Sequence, residues 1–241
     1  SQPWIDTTES DDNSRSAWGA PSPDHRLLSY FGRVSYNYDE RYMAEFTLRR
    51  DGSSNFGPAH KWATFPSVSV GWNLTNEPFM ANRPKALSSL KLRASWGLNG
   101  NESIGSFHYI STVTGGADYI LGPEGLNTLA PGATPSGYPN DGLKWEESEQ
   151  FDVGIDASFF GSRLSLTVDY FNKRTNGMLM TVPLPQYIGN SRPYGNVGDM
   201  KNSGVEIDLR YRFQVSKVSF DIGGNATYIR NRLIRLGKQN G

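Results

Sequence analysis

The sequence predicts an all-β chain laid out as the antiparallel up-and-down meander of a transmembrane β-barrel, and three observations lead there. Apolar and polar residues alternate with period 2 from Leu28 to Tyr228, helical periodicity is almost absent, and the connections between runs alternate between short and long. Each run is bounded by Gly, Pro, Asn, Asp or Ser, the residues that tolerate turn conformations.

Eight strands follow from the alternation. The first is expected over 27–38, with Leu28, Tyr30, Val34, Tyr36 and Tyr38 opposed to Ser29, Arg33, Ser35 and Asn37, because successive side chains of a strand point to opposite faces. Asp39-Glu40 turns the chain into the second, 41–51, where Tyr42, Ala44, Phe46 and Leu48 oppose Glu45, Thr47 and Arg49. The third, 67–75, sets Val68, Val70, Trp72 and Leu74 against Ser67, Ser69, Gly71 and Asn73. A medium connection over 76–89 follows, in which Glu77-Pro78-Phe79-Met80 could start a short helix with Pro near its first turn. The fourth, 90–98, places Leu90, Leu92, Ala94, Trp96 and Leu98 against Lys91, Arg93 and Ser95.

The second half repeats the pattern. Phe151 to Phe159 alternates apolar Phe151, Val153, Ile155 and Ala157 with Asp152, Gly154, Asp156 and Ser158, and Gly161-Ser162 turns it into a strand over 164–170. The last two strands, 205–213 and 218–228, are joined by a tight turn within 214–217. Against these tight turns stand three long connections, 52–66, 99–143 and 172–203. Short turns at one end and long loops at the other are the layout of an outer-membrane barrel. Charge placement agrees, since Arg33, Arg49, Arg93, Arg210 and Arg212 share a face with Glu45, Asp152, Asp156, Asp169, Glu206 and Asp208. A wet lumen tolerates that face, whereas lipid at mid-depth costs about 2 to 4 kcal/mol for each Arg or Lys. A soluble β-sandwich or jelly roll alternates in the same way and stays open as the competing fold; aromatics near strand ends, such as Tyr42, Trp72 and Tyr211, favour the barrel.

Composition narrows the function classes. The 241 residues carry 24 Lys+Arg and 24 Asp+Glu, a balance that argues against nucleic-acid binding, which needs a basic face to neutralise phosphates. With no cysteine there is no disulfide, thiolate metal site or cysteine nucleophile. A mean hydropathy of -0.54 and no apolar run near a helix span exclude a transmembrane helix but not transmembrane strands. The first residue is Ser rather than Met, which reads as a processed chain or a piece of a longer one.

No catalytic residue, metal or cofactor is expected. His25, His60 and His108 stand far apart with no ligand spacing, and Asp11-Asp12-Asn13 lacks the glycine turn and distal Glu of a calcium loop. Glu146, Glu147 and Glu149 invite a glycosidase reading, but on a strand Glu146 faces away from the other two. Binding is the more informative possibility, because a sugar ring stacks its C–H face on Trp or Tyr. The candidate ligand-binding residues are the loop aromatics Trp18, Trp62, Phe107, Tyr109, Tyr119, Tyr138, Tyr187 and Tyr194. Packing of the long loops is the competing role for each.

Several segments carry a family resemblance. They are Tyr30-Phe31-Gly32-Arg33-Val34-Ser35-Tyr36-Asn37-Tyr38, Leu48-Arg49-Arg50-Asp51-Gly52-Ser53-Ser54-Asn55-Phe56-Gly57-Pro58 and Phe65-Pro66-Ser67-Val68-Ser69-Val70-Gly71-Trp72. Leu90-Lys91-Leu92-Arg93-Ala94-Ser95-Trp96-Gly97, Leu143-Lys144-Trp145-Glu146, Val168-Asp169-Tyr170-Phe171-Asn172-Lys173, Val182-Pro183-Leu184-Pro185 and Asn196-Val197-Gly198-Asp199-Met200-Lys201-Asn202-Ser203-Gly204-Val205-Glu206 continue the series. In order and spacing the chain resembles the latter part of the barrel of the SusC/RagA-type TonB-dependent outer-membrane transporters of the Bacteroidetes.

The resemblance implies about eight strands of a larger, 22-stranded barrel. Residues 1–25 would be the extracellular loop end of a preceding strand, 26–230 the eight-strand segment and 231–241 the start of a further extracellular loop, with the plug domain outside this chain. It also implies import of oligosaccharides or peptides across the bacterial outer membrane, with ligand held between the extracellular loops and a SusD-like surface lipoprotein. The TonB complex would act through the N-terminal part, and the remaining strands, the plug and outer-membrane lipid would be the other partners. The alternative function is that of a soluble secreted carbohydrate-binding β-sandwich.

Overall fold

The computed structural model describes residues 25–106, 108–111, 113–121, 128–135, 137–182 and 192–237. Strands β1 (Leu27–Tyr38), β2 (Tyr42–Ser53), β3 (Trp62–Asn73) and β4 (Leu87–Asn101) are followed by four short strands in the longest loop: β5 (Val113–Gly115), β6 (Tyr119–Leu121), β7 (Thr128–Ala130) and β8 (Ala133–Pro135). Strands β9 (Glu146–Phe159), β10 (Leu164–Thr181), β11 (Tyr194–Val215) and β12 (Val218–Leu236) complete the chain. The eight long strands form one antiparallel sheet in the order β1-β2-β3-β4-β9-β10-β11-β12, and β5-β8 and β6-β7 are separate two-stranded ribbons. Sequence neighbours pair throughout the sheet except at β4–β9, where the longest loop intervenes. The sheet is not closed: β1 and β12 pair on one side only.

Cross-strand register turns the alternation into two continuous rows. Tyr38, Tyr42, Trp72, Leu92, Ile155, Val168, Ile207 and Ala226 lie opposite one another from β1 to β12. One residue further on, Asn37, Met43, Gly71, Arg93, Gly154, Asp169, Glu206 and Thr227 form the neighbouring row on the other face. The apolar row and its companions remain open, with Val34 69% and Ile222 60% exposed. A soluble sandwich would bury that face under a second sheet; among the described residues nothing covers it.

The polar face is knitted by charge. Arg93 donates Nε to Asp156 at 2.6 Å and Nη2 to Asp169 at 2.9 Å. Gly154 sits between Arg93 and Asp169 in their row, and a side chain there would collide with the Asp169 carboxylate, so glycine is what lets the ion pair pass over the middle strand.

The short turns match expectation. Asp39 and Glu40 both adopt left-handed backbone, φ +50° and +51°, as a tight hairpin with right-handed strand twist requires. The β3–β4 connection contains two 3-10 turns, Leu74–Asn76 and Pro78–Met80, the second with Pro at its start.

The strands differ from expectation at the opposite end, where nearly all run further than the alternation indicates. β3 begins at Trp62 rather than 67, β10 continues to Thr181 rather than ending at 170, and β11 begins at Tyr194 rather than 205. β12 likewise runs to Leu236, past the boundary expected at 230. A membrane crossing takes about 9 to 11 tilted residues, whereas β11 has 22. In the barrel that the resemblance implies, its outer half would stand above the lipid, where both faces are wet and no alternation marks the strand.

Candidate functional site

The long loops meet on a small water-type core at the mouth of the sheet. Phe56, Phe65, Ile104, Leu143 and Trp145 are its buried hydrophobic residues, with Leu143 fully buried, and Ala63, Leu98, Leu179 and Tyr194 pack around them. Trp145 is the hub: its ring lies 5.2 Å from Phe56 and edge-on to Phe65 at 5.5 Å, and its Nε1 donates to the Lys61 carbonyl at 3.2 Å. The tip of the Phe65 ring occupies the space that a side chain at Gly100 would take.

Three asparagines satisfy the loop backbone around this core. Asn55 donates Nδ2 to the carbonyls of Glu102 and Ile104 at 3.3 and 3.1 Å. Asn140 donates to the Tyr194 carbonyl at 2.8 Å. Asn196 donates to the carbonyls of Lys144 and Gly177, both at 2.8 Å, and accepts from the Lys144 N–H at 3.0 Å. Gly177 is the β10 bulge, with φ +62°, and its N–H donates to Asp199 at 2.9 Å. Arg235 donates Nε to the same carboxylate at 2.8 Å. Arg235, and then the Gly177 amide, hold the Asp199 carboxyl below the usual carboxylate range. The loops and the outer strand ends thus form one platform, in which side chains of neighbouring segments take up backbone carbonyls of the loops.

The sequence-predicted binding residues separate into groups. Trp62 lies at the outer end of the apolar face, stacked on Tyr30 at 6.1 Å with the Arg50 guanidinium 5.6 Å from its ring and Gly52 beneath it. That is a girdle placement on the outside of the wall, away from the mouth. Tyr194 packs on the core with its ring 4.4 Å from His108, whose pKa burial lowers. Tyr109 is half-buried beside Gly57. Tyr119 and Tyr138 are exposed, on β6 and after the β8 ribbon. Trp18, Phe107 and Tyr187 lie outside the described residues, as do Asp11-Asp12-Asn13.

The carboxylates that invited a catalytic reading have structural duties. Glu146 accepts from the Leu179 N–H at 3.0 Å and Glu149 from Trp96 Nε1 at 2.9 Å. Below the mouth, a concavity of about 440 Å³ opens in the polar face, lined by Ser35, Glu45, Ser69, Lys91, Arg93 and Asp152 among others. Its mixture of hydroxyls and both charge signs suits a hydrated wall. Sequence reasoning missed Asn55, Asn140, Asn196 and Asp199; the quoted Asn196-to-Glu206 segment was the available signal, but its partners are distant in sequence.

Comparison with known proteins places this geometry. Residues 2–240 match the family described as TonB dependent receptor-like, beta-barrel. The TonB-dependent receptor P3 of Formosa agariphila is 35% identical over 87% of this chain and 20% of its own length, and the TonB-dependent receptor SusC of Bacteroides thetaiotaomicron is 33% identical over 87% and 21%. The chain spans about a fifth of the length of these curated relatives. The solved structure of the RagAB peptide transporter superposes with a TM-score of 0.77 at 32% identity, over 94% of this chain and 25% of that one. These matches overturn the alternative of a soluble carbohydrate-binding sandwich. The chain belongs to the SusC/RagA-like TonB-dependent receptors, and its eight-stranded sheet is part of their outer-membrane β-barrel.

Proposed function

We propose that the chain supplies wall, lumen face and outer loops to an importer that takes up oligosaccharides or peptides together with a SusD-like surface lipoprotein and the TonB complex. The observation that carries this reading is the platform, in which described segments of the long loops pack together at one end of the sheet with Tyr119 and Tyr138 left exposed. Support for the peptide class comes from RagAB, described as a peptide transporter, while SusC is described as a TonB-dependent receptor; the oligosaccharide class rests on the exposed loop rings. The edges at β1 and β12 require further strands, since unpaired N–H and C=O groups in hydrocarbon cost several kcal/mol each. Residues 26–230, with the outer end of β12 to Leu236, would then be wall, completed by other strands and a plug of the same protein, with residues 1–25 and those beyond β12 belonging at least in part to its outer loops.

The chemistry is recognition without bond making. Exposed loop rings stack on a sugar or an apolar peptide side chain, and the polar concavity beneath accepts the hydrated ligand once the path opens. The test is removal of residues 115–137 from the full-length transporter. Ligand capture or lipoprotein association should fall while barrel assembly persists, because the segment lies outside the eight-stranded sheet. Wild-type uptake and lipoprotein binding after the deletion would reduce this loop to a spacer.

A further inference from the structure

The apolar row of the wall does not end with its strands. At the short-turn rim Tyr38, Tyr42 and Trp72 stack in series across β1, β2 and β3, with ring centroids 6.4 and 6.3 Å apart and planes 25° and 21° from parallel. Beyond Trp72 the chain leaves the sheet, and Glu77, between the two 3-10 turns, folds back onto the same rings. Glu77 is only 8% exposed. It accepts from Trp72 Nε1 at 2.9 Å and is hydrogen-bonded to the Tyr42 hydroxyl. The bond from Tyr42, and then that from Trp72, hold the Glu77 carboxyl below its ordinary range, so it is an ionised acceptor at neutral pH. Asn76 donates Nδ2 to the Glu40 carbonyl at 3.2 Å, which ties this connection to the neighbouring hairpin turn.

This clamp fixes the side of the wall on which the connection stands. Trp72 belongs to the row that continues through Leu92 and Ile155, which is the lipid-facing row of an outer-membrane barrel. A carboxylate seated on the polar edges of Trp72 and Tyr42 is therefore on the outer side, at the level where hydrocarbon gives way to headgroups. Two residues later Phe79 is 65% exposed, in the middle of the Pro78–Met80 turn. The turn is thus anchored through Glu77 on the lipid side and carries a large apolar ring left open.

We propose that the β3–β4 connection docks on the periplasmic leaflet of the outer membrane: Glu77 sets Trp72 and Tyr42 at headgroup depth, and Phe79 inserts into the glycerol and acyl-chain boundary of phospholipid. The occupant is lipid rather than protein because the exposed Phe79 lies two residues beyond Glu77, which is bonded to Trp72 and Tyr42 of the lipid-facing row. The proposal rests on the outer-membrane assignment of the wall, and the experiment separates the two.

The test is a nitroxide placed by Phe79→Cys in the full-length transporter, reconstituted in phosphatidylethanolamine and phosphatidylglycerol bilayers; this chain adds no cysteine of its own. Val70→Cys serves as the lipid-facing reference and Glu40→Cys as the turn-tip reference in water. The ratio of oxygen to nickel-chelate accessibility at position 79 should follow Val70 and exceed Glu40 several-fold. A ratio like that of Glu40 overturns the proposal, and so does exclusion of both reagents, which would mean a protein cover such as the plug. A water-like ratio at Val70 would instead sink the assignment of the wall itself. Glu77→Ala in the Phe79→Cys background should move the label toward water; an unchanged ratio would remove Glu77 from the proposal. Should Phe79→Cys fail to assemble, the ring-conserving Phe79→p-benzoylphenylalanine should give a phospholipid photoadduct, and a protein-only adduct would overturn the insertion.

Discussion

The half of the sheet near the short turns and the half near the long loops are built from the same strands and stabilised in opposite ways. Near the turns, apolar side chains point outward and stay open, while ion pairs such as Arg93–Asp169 sit on the inner face. At the mouth the order reverts to that of a water-soluble domain, with Phe56, Leu143 and Trp145 inside and the carboxylates of Glu102 and Asp199 at the margin. The contrast teaches that one antiparallel ladder serves two solvents. Backbone pairing carries the strand across the boundary, and the side chains change roles where lipid ends.

The largest expected effect breaks the first half. Deleting Thr167 shifts the register of β10 and turns Asp169 from the polar row into the lipid-facing one. Assembly of the full-length transporter should be abolished, seen as loss of its heat-resistant folded band on gels; survival of that band would refute the facing assigned to β10.

A middle-sized effect separates the halves. Trp145→Ala removes the hub of the mouth and should cost about 3 to 5 kcal/mol locally, since the ring is 5% exposed and packs on Phe56 and Phe65. The outer loops should become protease-sensitive while the folded band persists. Loss of both together would show that wall and platform fold as one unit.

The smallest effect sharpens the boundary of the platform. Asp199 has a depressed pKa because its ionised form is bound by Arg235 and by the Gly177 amide. The sign follows: the contribution is present above the ordinary carboxylate pKa and is lost as pH falls through the lower folded value. Proteolysis of the β10–β11 loop should accelerate on acidification through that window. Asp199→Asn should be faster at neutral pH and lose the part of the pH response that belongs to this carboxylate.

The sequence by itself determined the eight strands, their inner and outer faces, the short turns and the family, because a strand with lipid on one side and water on the other must alternate. Val168 and Asp169 could be assigned to opposite faces from their order alone. The medium connection was also legible, through Pro78 at the start of its turn. Only the tertiary structure decided how far the strands reach above the membrane and what the loops do there. With water on both sides, the 171–181 stretch of β10 needs no apolar period, so its pairing with β11 left no mark in the order of residues. The platform was hidden for a related reason. Asn55, Trp145 and Asn196 act through partners such as Ile104, Lys61 and Gly177, which only strand pairing and the packing of the loops bring into hydrogen-bonding distance.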